Sequence, residues 1–211
     1  PEQIARAKAQ CPWIYLAFGS IEWHGYHNAV GLDAVKAHEQ LVGLARRIGG
    51  LVYPPLFLGV GGGHTEWASS FMVSREPMIQ IVTDLLQGFE RDGYKQVIML
   101  SGHYPNRGEF LDPALQRYQE QGGTMRVLPL VENQAPGVGG DHAATYETSF
   151  MLHLHPDLVD VERLAQGRQD DIGGVAEIRN WMDPAFEGHP CYGLVGTDPR
   201  AHASADLGKE H

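Results

Sequence analysis

Three short apolar runs, separated by much longer segments, constrain the fold of this chain more than any other feature of its sequence. The runs cover residues 14–18, 97–100 and 125–130, and the first two are followed by Gly-Ser or Ser-Gly pairs. Runs of this length are typical of buried strands, and the connections between them are too long for hairpins. The chain therefore predicts an α/β fold, in which helices cover both faces of a mainly parallel sheet.

The segments between and after these runs predict four helices. Apolar residues at helical spacing and terminal glycines mark their extent. The predicted helices cover residues 33–48, 78–89, 112–121 and 145–155. In the third, Asp112 is the predicted N-cap and Pro113 the first helical residue. Residues 51–60 are split by two prolines, so they provide at most two short extended pieces.

Composition argues against several classes of partner. Sixteen Lys and Arg against 26 Asp and Glu give a formal charge of −10, so neither nucleic acid nor an anionic membrane is an expected partner. The two cysteines, Cys11 and Cys191, are too few for a disulfide scaffold or a zinc ribbon. No apolar stretch approaches the ~20 residues that span a bilayer, and no signal peptide is visible. We expect a single cytoplasmic domain over residues 1–211.

Polar residues follow the first predicted strand, at the edge where open parallel sheets bind ligands. Glu22 and His24 are two positions apart, so in an extended segment their side chains project to the same face, and Asp33 follows. Imidazole nitrogens and carboxylate oxygens together bind divalent cations. We therefore take these three residues as candidate metal ligands. His24 alone also fits a loop histidine that binds the backbone, and His27 fits either the surroundings of a metal site or the protein surface.

Two further clusters complete the candidate chemistry. His103 follows the second apolar run, and Gly102 permits the sharp turn that would direct it over the sheet edge. His142 is a candidate acid and base, and its neighbour Asp141 is the candidate carboxylate that orients it or raises its basicity. Glu147 lies in the first turns of the fourth predicted helix, where the helix dipole favours a carboxylate.

Aromatic side chains lie in or beside the loops that carry these clusters. Trp23, Trp67 and Tyr104 are candidates to line a pocket for a small, flat, polar substrate, or they pack as ordinary core residues. The glycine-rich residues 59–64 match neither the dinucleotide fingerprint nor the phosphate-binding loop. No Gly-x-Ser-x-Gly motif is present, so the pattern favours metal-assisted chemistry over a serine nucleophile.

Taken in order, the clusters resemble the motifs of the creatininase (creatinine amidohydrolase) family. These are Gly-Ser-Ile-Glu-Trp-His-Gly at 19–25, Ser-Gly-His-x-x-Asn at 101–106, and His-Ala leading to Glu-Thr-Ser at 142–149. The segment at 198–204 is similar to the family's C-terminal motif. The resemblance implies a three-layer α/β/α fold and a homo-oligomer, usually a hexamer. It also implies hydrolysis of the C–N bond of a small cyclic or linear amide by a water that two metals activate.

The resemblance also implies a ligand set. Glu22 and His103 bind one metal, His24 binds the other, Asp33 bridges the two, and His142 shuttles protons. The expected cofactor is a pair of divalent ions per subunit, and the residue types fit Zn²⁺, Mn²⁺ or Fe²⁺.

The chain departs from the resemblance at one position that affects the ligand set. Creatininase carries a ligating Glu two residues after the second-motif histidine, and this chain has Pro105 there. Glu147 is our candidate for the missing carboxylate. Two alternatives stay open: a relative that hydrolyses a ring substrate derived from a sugar or cyclitol, and a metal-binding protein with an impaired second site. The resemblance further implies a longer last helix than the residues after Asp206 provide.

Overall fold

One parallel sheet organises the protein, for which a computed structural model describes residues 1–165 and 181–210. The strands are β1 (Trp13–Phe18), β2 (Leu51–Val52), β3 (Gln96–Ser101) and β4 (Arg126–Val131), in the order β2-β1-β3-β4. Ile14 of β1 pairs with Leu51 on one side and with Val97 on the other. The three predicted strands are confirmed, each to within one residue at either end. Of residues 51–60, only two join the sheet as a strand.

Seven α-helices lie in the described part of the chain. They are α1 (Glu2–Gln10), α2 (Leu32–Ile48), α3 (Arg75–Arg91), α4 (Asp112–Glu120), α5 (Thr145–Leu154), α6 (Pro199–His202) and α7 (Ala205–Glu210). Sequence reasoning missed α1, which buries none of its side chains. None of the described helices has the length and apolar character needed to cross a membrane.

The predicted N-cap role of Asp112 is wrong. A π-helical turn over Arg107–Leu111 runs directly into α4, and Leu111 already has helical backbone angles. The Asp112 carboxylate instead accepts a hydrogen bond from Arg107 Nε at 2.7 Å. An Asp-Pro pair marks a helix start in most sequences, but here the pair follows a widened turn within a continuing helix.

Alternate side chains of β1 build two separate cores. Ile14, Leu16 and Phe18 pack against α3 and α4, whereas Tyr15 and Ala17 pack against α2 on the opposite face. This arrangement confirms the three-layer α/β/α fold. Beyond the α2 layer, α5 packs against α2 and α7 packs against α5.

Two glycines bring the start of α2 down onto the carboxyl ends of the central strands. A Cβ atom at Gly19 would overlap the backbone nitrogen of Ala34, and one at Gly102 would overlap the carbonyl oxygen of Asp33. Only glycine permits this close approach between backbones. As a result, Asp33 in the first turn of α2 is buried directly over β1 and β3.

Candidate active site

A cavity of about 470 Å³ opens at the carboxyl ends of β1 and β3. It brings together residues that are far apart in the sequence, and His24 lies fully buried beside it. The predicted site residues that line it are Glu22, Asp33, His103, Tyr104, Asp141, His142 and Glu147. The sequence therefore predicted seven of the sixteen lining residues, and the cavity opens at the edge of the sheet that the strand ends indicated.

Asp33 lies between two histidines. Its Oδ1 atom is 3.3 Å from His24 Nε2, and its Oδ2 atom is 3.5 Å from His103 Nδ1. Ser20 holds the carboxylate by donating from Oγ to Oδ2 at 2.6 Å. On the His103 side, Glu22 Oε2 lies 2.9 Å from the same Nδ1 atom. Each oxygen of Asp33 thus faces a different group of nitrogen and oxygen atoms.

Backbone carbonyls fix which nitrogen of each histidine faces the carboxylates. His24 donates from Nδ1 to the carbonyl oxygen of Glu22 at 3.0 Å, and His103 donates from Nε2 to that of Gly61 at 3.1 Å. The other nitrogen of each ring, which faces Asp33, then has a lone pair in a neutral imidazole. His24 Nε2 is buried without a hydrogen-bond partner among the described residues. Lone pairs that face carboxylates require a cation between them, either a proton or a metal ion.

The electrostatics of the metal-free cluster agree with this requirement. Burial favours neutral imidazole, but Asp33 outweighs it and raises the pKa of His24 to about 9. Burial also favours the neutral form of His103, but Asp33 and Glu22 outweigh it and raise the pKa of His103 to about 10. Burial alone would raise the pKa of Glu22, but His103 and His64 outweigh it and hold that pKa far below its ordinary value. These pKa values favour protons at His24 and His103, between the imidazole nitrogens and the carboxylates.

Three groups of ligand atoms converge within 4.8 Å among the described residues. They are Glu22, Asp33 and His103; His24, His142 and Glu147; and Glu22, His64 and His142. Glu147 Oε2 lies 3.6 Å from His24 Nε2. The role of Glu147 as a ligand stays a prediction.

His142 is held in a stack of rings. It donates from Nε2 to the carbonyl oxygen of Trp23 at 2.8 Å, so Nδ1 has the lone pair of a base. The His64 ring stacks on it with centroids 3.8 Å apart, and the Trp23 ring stacks on His64. Burial, together with nearby His24, keeps the pKa of His142 well below its ordinary value. The neutral form needed for accepting a proton is therefore the stable one.

The predicted contact between Asp141 and His142 is not present in the structure. Asp141 accepts hydrogen bonds from the backbone N–H groups of Tyr146 at 2.6 Å and Glu147 at 3.2 Å. It therefore stabilises the start of α5, where those N–H groups have no partner within the helix. Burial and the neighbouring Glu147 raise the pKa of Asp141 to about 8.

The predicted substrate-binding aromatics take different positions. Tyr104 lines the cavity, and its hydroxyl group is buried without a hydrogen-bond partner in the described chain. Trp23 and Trp67 pack against each other, with centroids 4.7 Å apart, and neither is among the residues that line the cavity. They contact the lining residues His64 and His142 from outside the cavity. His27 is buried, 2.9 Å from Thr148 Oγ1 through Nε2, which excludes the surface alternative.

Sequence reasoning missed three residues of the cluster. His64 lies in the glycine-rich loop, which matches no phosphate-binding pattern. Lys36 and Glu132 form a buried ion pair beside Glu147. Lys36 follows Asp33 by three positions on α2, so helical spacing could have placed the two on one face.

This histidine and carboxylate cluster, at the carboxyl edge of a three-layer parallel α/β fold, defines the class of the protein. The model of the Creatininase family, described as creatinine amidohydrolase, matches residues 1–211. The chain therefore belongs to the creatininase family, whose members are hydrolases acting on C–N bonds.

Relatives agree with this assignment. Creatinine amidohydrolase from Pseudomonas putida is 28% identical over 187 residues, which cover 77% of this chain and 72% of that protein. A mycofactocin precursor peptide peptidase from Mycobacterium ulcerans (strain Agy99) is 27% identical over 189 residues, covering 79% and 72%. Among solved structures, creatininase Mn has a TM-score of 0.75 at 26% identity, over 99% of this chain and 88% of that chain. A mutant creatininase of Zn-Zn type has a TM-score of 0.72, with the same identity and coverage.

Proposed function

We propose that this protein is a metal-dependent amidohydrolase, which uses two divalent ions to hydrolyse the C–N bond of a small cyclic or linear amide. The observation that carries the proposal is the position of Asp33, whose two oxygens face His24 and His103 separately. Glu22, Asp33 and His103 would hold one ion. His24, Asp33 and Glu147 would hold the other.

Buried negative charge supports divalent cations. Glu22, Asp33 and Glu147 are buried beside the histidines, and the ammonium group of Lys36 is shared between Glu132 and Glu147. Imidazole and carboxylate ligands suit zinc, manganese and iron. The related creatininase structures of Mn and Zn-Zn type favour the first two of these.

His142 is the proposed acid and base. Bound divalent cations supply Lewis acidity, which polarises an amide carbonyl and lowers the pKa of water toward neutrality. In the neutral state, His142 takes up a proton at Nδ1, because Nε2 is committed to the Trp23 carbonyl. It then passes that proton to the leaving nitrogen, which must be protonated before it departs as an amine.

A peptide C–N bond is the second candidate substrate. The cavity of about 470 Å³ lies within the range of roughly 300–1,000 Å³ that accommodates drug-sized ligands, so it has room for more than one small ring. The related mycofactocin precursor peptide peptidase supports the same extension.

The test combines metal analysis with a substrate screen. Metal-free protein is loaded with Mn²⁺ or Zn²⁺ and incubated with cyclic amides, linear amides, short peptides and cyclitol-derived rings, and products are followed by mass spectrometry. We expect two ions per chain and hydrolysis confined to C–N bonds. If only the cyclitol-derived rings were hydrolysed, the proposed amidohydrolase activity would be contradicted. One ion per chain without turnover would indicate the metal-binding alternative.

A further inference from the structure

Lys36 is fully buried at the centre of four structural elements. It extends from α2, and its Nζ atom lies 2.7 Å from Glu147 Oε1 on α5 and 2.5 Å from Glu132 Oε2 after β4. The carbonyl oxygen of Gly102, which follows β3, is 3.4 Å away. A buried ammonium is costly without partners, and here every direction supplies an oxygen.

The two oxygens of Glu147 have different partners. Oε1 is bound to Lys36, whereas Oε2 accepts the backbone N–H of Ala143 at 2.6 Å and faces His24 Nε2 at 3.6 Å. The terminal torsion of a glutamate is broad, so an unrestrained carboxylate can rotate. The ammonium group at one oxygen and the N–H group of Ala143 at the other together restrain that rotation, so that one oxygen stays directed at His24.

Glu132 in turn holds Lys36. Its Oε2 atom bonds the ammonium, and its Oε1 atom accepts a hydrogen bond from Gln40 Nε2 at 3.0 Å. Gln40 lies one turn after Lys36 on α2, so both partners of Glu132 come from one helix. Glu132 does not line the cavity, and it contacts the ammonium group from outside the candidate ligand set.

We infer that Lys36 is a positioning residue for the second metal ion, which acts by holding Glu147 with Oε2 toward His24. The inference rests on the proposed function. Lys36 itself provides no lone pair to a metal while it carries its charge. Lys36 contacts Glu147 and, at 3.9 Å, the Oδ1 atom of Asp33, which is the oxygen that faces His24, so its main effect falls on the site of His24, Asp33 and Glu147.

The test removes the ion pair without leaving an unpaired charge against Glu132. In the double variant Lys36→Met/Glu132→Gln, both charges of the pair are lost together. The control is Lys95→Met, since Lys95 is exposed. Mn²⁺ binding to the metal-free proteins is measured by calorimetry, and coupling between two bound ions by electron paramagnetic resonance. We expect one of the two sites to weaken by about 10- to 100-fold, the other to keep its affinity, and the coupled signal to disappear at limiting Mn²⁺.

A double-mutant cycle with Glu147→Gln tests whether Lys36 acts through Glu147. If it does, the Lys36 and Glu132 changes cause little further loss of Mn²⁺ affinity once Glu147 is replaced. Additive losses, or a lower melting temperature with both sites intact, would overturn the inference. If the double variant does not fold, Lys36→Gln keeps a hydrogen-bond donor near Glu147, and the same site should still weaken.

The wild-type protein separates failure of the inference from failure of the proposed function. Wild-type chains that bind two Mn²⁺ ions, alongside a variant with both affinities unchanged, would refute only the role of Lys36. A wild-type chain that binds a single Mn²⁺ ion would refute the two-metal function and the inference together.

Discussion

Asp33 presents Oδ1 to His24 and Oδ2 to His103, at 3.3 and 3.5 Å respectively. This relationship makes a single carboxylate common to both candidate metal positions. It exists because the first turn of α2 lies on the ends of β1 and β3, where the motifs of both strands meet.

Removal of Asp33 should abolish both metal sites. We expect Asp33→Ala to lose both ions, because each position would then keep too few protein ligands for tight binding. Metal content after dialysis, measured by inductively coupled plasma mass spectrometry, checks the result. Asp84→Ala, at an exposed position of α3, is the matched control and should retain two ions. One ion per chain in Asp33→Ala would show that Asp33 does not bridge.

Replacement of His142 should separate proton transfer from metal binding. We expect His142→Ala to lower kcat by about 10²- to 10⁴-fold, the usual contribution of a general acid or base. Metal content should stay at two ions per chain, because the proposed ligand sets do not include His142. Exposed His153 on α5 provides the control His153→Ala, with kcat unchanged. Loss of one ion from His142→Ala would instead identify this histidine as a ligand.

The metal-free protein should lose stability as the pH rises from neutral to alkaline. The folded-state pKa values of His24 and His103, about 9 and about 10, exceed the ordinary value of 6.5. Their protonation therefore stabilises the fold fully below about pH 6.5, and this contribution is lost as the pH rises through 9 and 10. Asp141, with its pKa raised to about 8 by burial, acts in the same direction.

Urea denaturation at several pH values, with and without Mn²⁺, measures this dependence. Each extra proton held by the folded state contributes a slope of about 1.4 kcal/mol per pH unit in the free energy of unfolding. Bound metal replaces the protons on His24 and His103, so the loaded protein should show a smaller slope over the same interval. Parallel curves for the two forms would contradict the assignment of these histidines as ligands.

The protein should form a homo-oligomer, which we propose to be a hexamer. Phe71 lies seven residues after the glycine-rich residues 59–64 and is 67% exposed, and Tyr26 is 64% exposed. Large exposed aromatic side chains are typical of surfaces that a partner covers. Light scattering should give a multiple of the 23.3 kDa chain mass, and Phe71→Ser should shift the equilibrium toward smaller species. The control is Ile81→Ser, at an exposed position of α3. A wild-type monomer at micromolar concentration would refute the proposal.

Patterns local in sequence predicted the sheet and most of the site. The apolar runs identify β1, β3 and β4 because parallel strands are buried on both faces. Glu22 and His103 could be placed near one another because each follows a strand end, whereas His142 was placed with them by the family resemblance.

The missed features depend on contacts between distant segments. Lys36 reads as an ordinary helix residue until Glu132 and Glu147 are placed around it, and they lie 96 and 111 positions later. Asp141 is adjacent to His142 in sequence, yet it accepts the N–H groups of α5, because the helix start offers two donors. Sequence proximity suggested that His142 is the partner of Asp141, whereas the backbone geometry makes the N–H groups of α5 its partners.

Gly19 and Gly102 have a consequence for how this protein tolerates change. Neither carries a functional group, but any side chain at either position would push α2 away from the strand ends. In a library of random variants, both should therefore behave like catalytic positions and reject even alanine. An engineer who wishes to redirect this enzyme to a new substrate should vary the outer walls at Pro105 and Met182 and leave these two glycines untouched.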